Sequence, residues 1–98
     1  MVIHTEKLTG TASGGSIAIN TAAALQGIVR EIVVSPATPT TQYNFTITNA
    51  DSLDVFISES NTGDFIEETA LPIRGIYTVT ISSSTADELY SIAIIVEE

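Results

Sequence analysis

The sequence predicts an all-β fold, a single small antiparallel β-sandwich or jelly-roll-like barrel of seven to eight strands. Three observations carry this. The stretches 43–48, 53–58, 76–82 and 89–96 alternate apolar and polar residues, the period of a half-buried strand. Roughly a third of the chain is Ile, Val or Thr, whose branched Cβ suits a pleated sheet. Glycine, proline, asparagine and serine clusters fall between the apolar runs at regular spacing.

Taken in order, residues 2–8 predict a first strand of weak alternation. Residues 10–16 (Gly-Thr-Ala-Ser-Gly-Gly-Ser) predict a flexible small-residue loop. Residues 16–20 predict a short strand with Ile17 and Ile19 on one face. Residues 21–26 have local helix propensity, with Asn20 or Thr21 as cap and Gly27 as stop, and predict a turn or a short helical connection. Residues 28–35 predict a strand with Ile28, Ile32 and Val34 on one face. Arg30 shares that face, which calls for an edge position or a carboxylate partner. Pro36 and Pro39 end the strand, because neither can donate to a ladder.

Residues 42–49 predict a strand with Tyr43, Phe45 and Ile47 inward. A turn at 49–52 follows, and then a return strand over 53–58 with Leu53, Val55 and Ile57 inward. After a turn at 61–64, residues 65–68 predict a short strand before a loop through Pro72. Residues 75–82 predict a strand with Tyr77, Val79 and Ile81 on the core face. The polar segment 83–88 connects it to a closing strand over 89–97, with Tyr90, Ile92, Ile94 and Val96 on one face. Leu89, Ala93 and Ile95 make the other face apolar as well, so this strand is central or covered by another subunit.

At 98 residues the chain is one domain, 1–98, with residues 1–16 as its strand-and-loop N-terminal part. The net charge of −9 comes from 12 acidic residues against Lys7, Arg30 and Arg74. Three cations cannot form a basic stripe, so direct nucleic-acid binding and docking on an anionic membrane are not expected. An acidic surface suits solubility and docking on a basic partner. Cysteine is absent, which fits assembly in a reducing cytosol. The opening residues lack the basic start and apolar run of a secretory leader, and the longest apolar run, 92–96, is far shorter than a membrane span.

No catalytic set stands out, and neither a cofactor nor a metal site is expected. His4 is the single histidine and has no nucleophile or second acid near it in sequence, so it reads as a surface residue. Asp51, Asp54, Glu59 and Asp64 flank one hairpin with calcium-type oxygen ligands, but without the spacing of a calcium loop. Glu67-Glu68 and Glu97-Glu98 read as solvated charge rather than an acid–base pair. The glycines of 10–16 lack the Gly-Lys-Ser/Thr of a phosphate cradle, and Asn44-Phe45-Thr46 matches the glycosylation triplet within a threonine-rich strand. Phe56 shares a face with Asp54 and Ser58, and an aromatic on a polar face is an interface candidate. With the outer residues of the last strand, the interface candidates are Phe56, Ile95, Ala93 and Leu89.

The run Tyr43-Asn44-Phe45-Thr46-Ile47-Thr48-Asn49-Ala50-Asp51, followed by Leu53-Asp54-Val55, resembles a pattern of small β-sandwich virion structural proteins of tailed bacteriophages. There an aromatic-led strand runs into an acidic turn and a second short strand. Leu71-Pro72-Ile73, the strand Gly75-Ile76-Tyr77-Thr78-Val79-Thr80-Ile81-Ser82 and the closing strand over 89–96 are similar to the elements that come next. The resemblance covers about the C-terminal 60% of the chain. It implies a non-enzymatic capsid decoration or cement protein that binds and stabilises the major capsid protein lattice, or another virion protein. It places the chain in the virion, assembled in the cytoplasm of the bacterial host, and the covered last strand adds a homo-oligomer to the expectation. The alternatives are a minor neck, tail or fibre component, or a sugar- or receptor-binding β-sandwich module.

Overall fold

A computed structural model describes residues 2–21 and 24–98. Its strands are β1 (Ile3–Ala12), β2 (Ile17–Asn20), β3 (Leu25–Pro36), β4 (Gln42–Thr48), β5 (Asp54–Thr62), β6 (Phe65–Gly75), β7 (Thr78–Ser82) and β8 (Glu88–Glu97), with a short 3₁₀ turn at Ser13–Gly15. They form two four-stranded sheets, β1-β8-β3-β6 and β2-β7-β4-β5, in which every neighbouring pair is antiparallel. The two sheets pack face to face as a small β-sandwich, the fold class the alternation predicts. No helix among the described residues is long and apolar enough to cross a membrane.

The interior is filled by the inward residues of the four central strands. Tyr43, Phe45 and Ile47 of β4 and Val79 and Ile81 of β7 meet Val29, Ile32 and Val34 of β3 and Tyr90, Ile92, Ile94 and Val96 of β8, all of them buried. Aromatic rings bridge the sheets. Tyr43 and Tyr90 meet edge to face with centroids 5.2 Å apart, and Phe45, Phe56 and Phe65 form a triangle with centroids 6.1–6.2 Å apart. The buried hydroxyls have partners: Tyr43 donates to the Gly63 carbonyl at 2.7 Å, and Tyr90 shares a 2.6 Å hydrogen bond with Ser84. Gly63 sits at φ +68°, and a Cβ there would lie 2.5 Å from the Pro39 carbonyl oxygen, so this turn requires glycine.

Where the structure departs from the sequence reading, breaks in the strand register explain the difference. In β3 the register against β8 shifts between Val29 and Glu31, so Arg30 is an extra residue. Parity therefore reverses at this point: Val29, not Ile28, is buried on the core side, and Ile32 and Val34 follow. Arg30 is thrown out of the ladder and pairs with Glu97 at 2.8 Å, the carboxylate partner its position called for. In β5 the register against β4 shifts twice. Phe56 therefore lies opposite Ile47 and packs on the core, while Leu53 and Ile57, expected inward, are 62% and 55% exposed.

Three further corrections concern continuity. The loop expected over 10–16 is shorter, since residues 10–12 continue β1 opposite Tyr90, Leu89 and Glu88. The loop expected through Pro72 is strand: β6 runs unbroken from Phe65 to Gly75 and tolerates Pro72 because it is an edge strand. Of the turn or helical connection expected over 21–26, residues 22 and 23 lie outside the described residues, and Leu25 and Gln26 already belong to β3. The turn at 49–52 forms as expected, with the Asn49 side-chain oxygen accepting from the amides of Asp51 and Leu53 at 3.0 Å each.

Burial pushes the Tyr43 hydroxyl up to about 12, with Tyr90 and Asp64 adding to the effect, and burial raises Tyr90 as well. A tyrosine in the unfolded chain ionises near pH 10. The folded state therefore holds protons that the unfolded state releases. This stability is complete below about pH 10 and is lost as pH rises from there through about 12. Urea unfolding at about pH 8 and about pH 11 should show this loss. In Tyr43→Phe it should shrink, at a cost at pH 8 of about 1–3 kcal/mol for the orphaned Gly63 carbonyl. An unchanged pH dependence in Tyr43→Phe would contradict the assignment.

Candidate docking surface

Because β8 is central in its sheet, its inward residues Tyr90, Ile92, Ile94 and Val96 consume one face and leave Leu89, Ala93 and Ile95 on the other. The register sets what surrounds them. One transverse row of the outer face reads Thr5–Ile95–Glu31–Glu68, and the next reads Lys7–Ala93–Val33–Ile66. A third reads Thr9–Ser91–Ser35, where the Ser35 hydroxyl donates to Asp64 at 2.8 Å. Ala93, Ile95 and Val33 are half-buried in the isolated chain, whereas Leu89 is 50% and Ile66 64% exposed.

The small side chains of Ser35, Ser91 and Ala93 leave a shallow, mostly apolar depression of about 260 Å³ in this face, walled by Lys7, Thr9 and Val33. Lys7 is the chain's single lysine, and it stands at one end of a row whose other end lies among Asp64, Ile66 and Glu68. An aliphatic row flanked by charge, with Lys7 at one end and Glu31 and Glu68 in the next row, is the layout of a protein-binding face.

Three of the four interface candidates therefore share one surface: Leu89, Ala93 and Ile95. Phe56 does not join them. It lies in the opposite sheet, half-buried against Phe45 and Phe65, because the β5 bulges turn it inward. Lys7, Val33 and Ile66 belong to the face and were missed in the sequence. For Val33 a signal existed, the unbroken Ile32-Val33-Val34 run that marks a strand covered on both sides. Ile66 gave none.

The outer face of the other sheet is different in kind. Thr46 lies opposite Thr80, Thr48 opposite Thr78 and Asn44 opposite Ser82, a field of hydroxyls and amides with the exposed Ile57 beside Thr46. Part of it is already engaged, with Thr78 donating to the Asn20 side chain at 2.7 Å and Asn44 accepting from the Ser60 amide at 2.9 Å. That bond occupies the side chain of the glycosylation triplet.

The remaining candidates are dispersed. His4 is half-exposed, with Nε2 3.7 Å from Glu6, beside a second depression of about 180 Å³ that also touches Leu25, Gln26, Val96 and Glu98. The four acidic residues of the hairpin go separate ways: Asp64 accepts from Ser35, Asp54 accepts from Thr48, Asp51 sits in the Asn49 turn, and Glu59 is exposed on β5. No group of three or more His, Asp or Glu among the described residues is placed to hold a metal ion. Glu97 is committed to Arg30, and Glu67 and Glu68 stand on β6 opposite Ile32 and Glu31. Glu88, at the start of β8, is buried. Its carboxylate accepts from the Thr38 amide at 2.6 Å and from the hydroxyls of Thr38 and Thr41, tying down the β3–β4 loop.

No family model and no curated protein sequence matches the chain. Solved structures do. A periplasmic inhibitor of g-type lysozyme, PliG from Aeromonas hydrophila, is similar with a TM-score of 0.58 at 14% identity over 94% of this chain and 86% of its own. The Yersinia pseudotuberculosis-derived mitogen reaches 0.61 at 11% identity over 99% and 89%. A chitosan-binding module from a Paenibacillus sp. IK-5 chitosanase/glucanase reaches 0.56 at 8% identity over 93% and 75%. At such identities the similarity shows a common small all-β fold and nothing finer.

The geometry separates the candidates by what a charge does to stability. Phe56→Asp should destabilise by about 3 kcal/mol or more, because it puts a charge among the phenylalanines. Ala93→Glu and Leu89→Glu should stay within about 1 kcal/mol of the parent. Thermal unfolding of the three variants checks this, and a Phe56→Asp protein as stable as the parent would put that ring outside the core.

Proposed function

We propose that this chain is a non-enzymatic binding domain that docks on a protein partner through the outer face of the β1-β8-β3-β6 sheet. We further propose that it serves as a capsid decoration protein of the tailed-phage type. The observation that carries the reading is the aliphatic stripe of Leu89, Ala93, Ile95, Val33 and Ile66 on a chain of net charge −9. Each of these side chains could have been polar at no cost to the core, since each faces away from it. The acidic remainder of the surface steers the domain toward a basic partner, and the stripe supplies the contact.

A decoration protein stabilises a closed shell by binding the assembled state in preference to free subunits, which needs area and many copies rather than a reactive group. The other binding mode in view is a sugar platform built on stacked rings. All six aromatics here are buried or half-buried, and each is engaged inside the sandwich or at its rim. The protein-docking reading therefore ranks above the carbohydrate one, although a chitosan-binding module shares the fold.

Quantitative mass spectrometry of purified virions from the system that encodes this chain tests the proposal. It should find a one-to-one ratio to the major capsid protein, or a simple fraction of it. Ile95→Glu and Leu89→Glu should fold normally and be depleted from particles. A few copies per particle would move the chain to the neck, tail or fibre, and its complete absence would overturn the virion reading.

A further inference from the structure

Two four-stranded sheets have four edges, and three of them here are blunted. The edge strand β2 is only four residues long. β5 is bulged twice and carries Ser60 at φ +59°. β6 holds Pro72 and the Glu67-Glu68 pair. Each is a recognised way to prevent strand addition. β1 is the least protected, with Glu6 and Lys7 as its two charged residues. It is ten residues long, free of proline, and paired with β8 in one unbroken register from Ile3↔Glu97 to Ala12↔Glu88. At its start Val2 and Ile3 are 62% and 63% exposed.

The direction of the free backbone groups follows from one bond. The Glu98 amide donates to the Val2 carbonyl at 2.8 Å, so the even-numbered residues of this strand turn their backbone groups to β8. The odd-numbered residues Ile3, Thr5, Lys7 and Thr9 then present N–H and C=O to the open edge. We infer that this edge takes a second copy of the chain, its β1 added antiparallel about a two-fold axis at Thr5, so that the two four-stranded sheets join into one of eight strands.

Charge favours the occupant, and charge together with side-chain pairing narrows the register. Between residues 2 and 8 the charges of Glu6 and Lys7 cancel, so two copies of a −9 chain approach along β1 without the repulsion that the carboxylates of the β5 and β6 edges would impose. Pairing must match odd with odd residues. A two-fold centred on residue 6 would set Glu6 against Glu6, and one centred on residue 7 would set Lys7 against Lys7. Centred on Thr5, as on residue 4 or 8, no like charges are opposed, and of these only Thr5 sets His4 opposite Glu6 of the other copy. Thr5 meets Thr5, Ile3 lies under the Lys7 stem, Val2 meets Leu8, and His4 faces Glu6 of the other copy. The inward Glu6 and the edge Lys7, devices that elsewhere block an edge, here reject the registers centred on them. The contact is isologous and uses up the one open edge, so assembly stops at two.

This goes beyond the docking proposal and does not depend on it. It also doubles the docking face, because the outer faces of the two sheets become continuous. The test needs only the isolated chain. Sedimentation velocity from about 10 µM to about 1 mM, the range suited to an interface smaller than that of a stable complex, should show a monomer–dimer equilibrium. Thr5→Pro removes an edge-facing N–H and leaves the β8 ladder intact. It should weaken the dimer at least tenfold while the circular dichroism and melting temperature stay near the parent's.

The chain has no native cysteine, so Thr5→Cys provides a single thiol. On mild oxidation it should cross-link rapidly to a dimer, since facing residues of such a pair lie about 5.5 Å apart. Thr9→Cys should not, since its copies would lie roughly 26 Å apart. A monomer throughout the concentration range, a Thr5→Pro dimer as tight as the parent's, or equal cross-linking of the two cysteine variants would each overturn the inference.

Discussion

The sandwich depends on aromatic rings that reach across the gap between its two sheets. Tyr43 from one sheet and Tyr90 from the other meet at 5.2 Å in the interior, and Phe65 closes on Phe45 and Phe56 along the side where β5 and β6 lie. Aliphatic residues alone would fill the same space, but the tyrosines also carry hydroxyls that must be satisfied. Tyr43 does so at the Gly63 carbonyl and Tyr90 at Ser84, in turns just beyond β5 and β7, so the core packing and the turn geometry fix each other. A domain of 98 residues has little apolar surface to spare, and this one commits every ring to holding itself together.

That commitment shapes what is left for recognition. With the rings occupied, the apolar material on the outside is aliphatic, and one stripe of it crosses the two central strands β3 and β8 to Ile66 on β6. Both strands carry unbroken apolar runs because both faces of each are used, one for the core and one for the surface stripe. The threonine-rich face of the opposite sheet has no such stripe. The two faces of one small domain thus differ in chemistry, and only one of them resembles half of a protein interface.

Much of this was legible in the sequence. The strands with clean alternation, β4, β7 and β8, carry their predicted inward residues, because a period-two pattern leaves a central strand one way to face a core. The apolar second face of β8 was also legible, and with it Leu89, Ala93 and Ile95. What the sequence hid were the bulges. An extra residue at Arg30 exchanged Ile28 for Val29, and the two shifts in β5 sent Leu53 and Ile57 outward and Phe56 inward. Alternation records which residues differ from their neighbours but not where a ladder skips, and edge strands such as β5 absorb a skip because one of their sides is unpaired. Pro72 misled for a related reason, since its missing N–H excludes a central strand yet is harmless on the edge β6 occupies. The partners of the stripe, Lys7 and Ile66, come from strands 59 residues apart in sequence that only the sheet order unites.

The proposed docking places one face of one sheet against the partner. Because the chain is free of cysteine, single cysteines can be placed at Leu89, Ala93 and Ile95 on that face, and at Thr46 and Thr80 on the other. Maleimide labelling of each variant, free and bound to assembled capsids, reads the footprint directly. Labelling at the first three positions should be suppressed on binding while Thr46→Cys and Thr80→Cys label as in the free protein. Protection at Thr46 and Thr80, with positions 89, 93 and 95 still reactive, would contradict it.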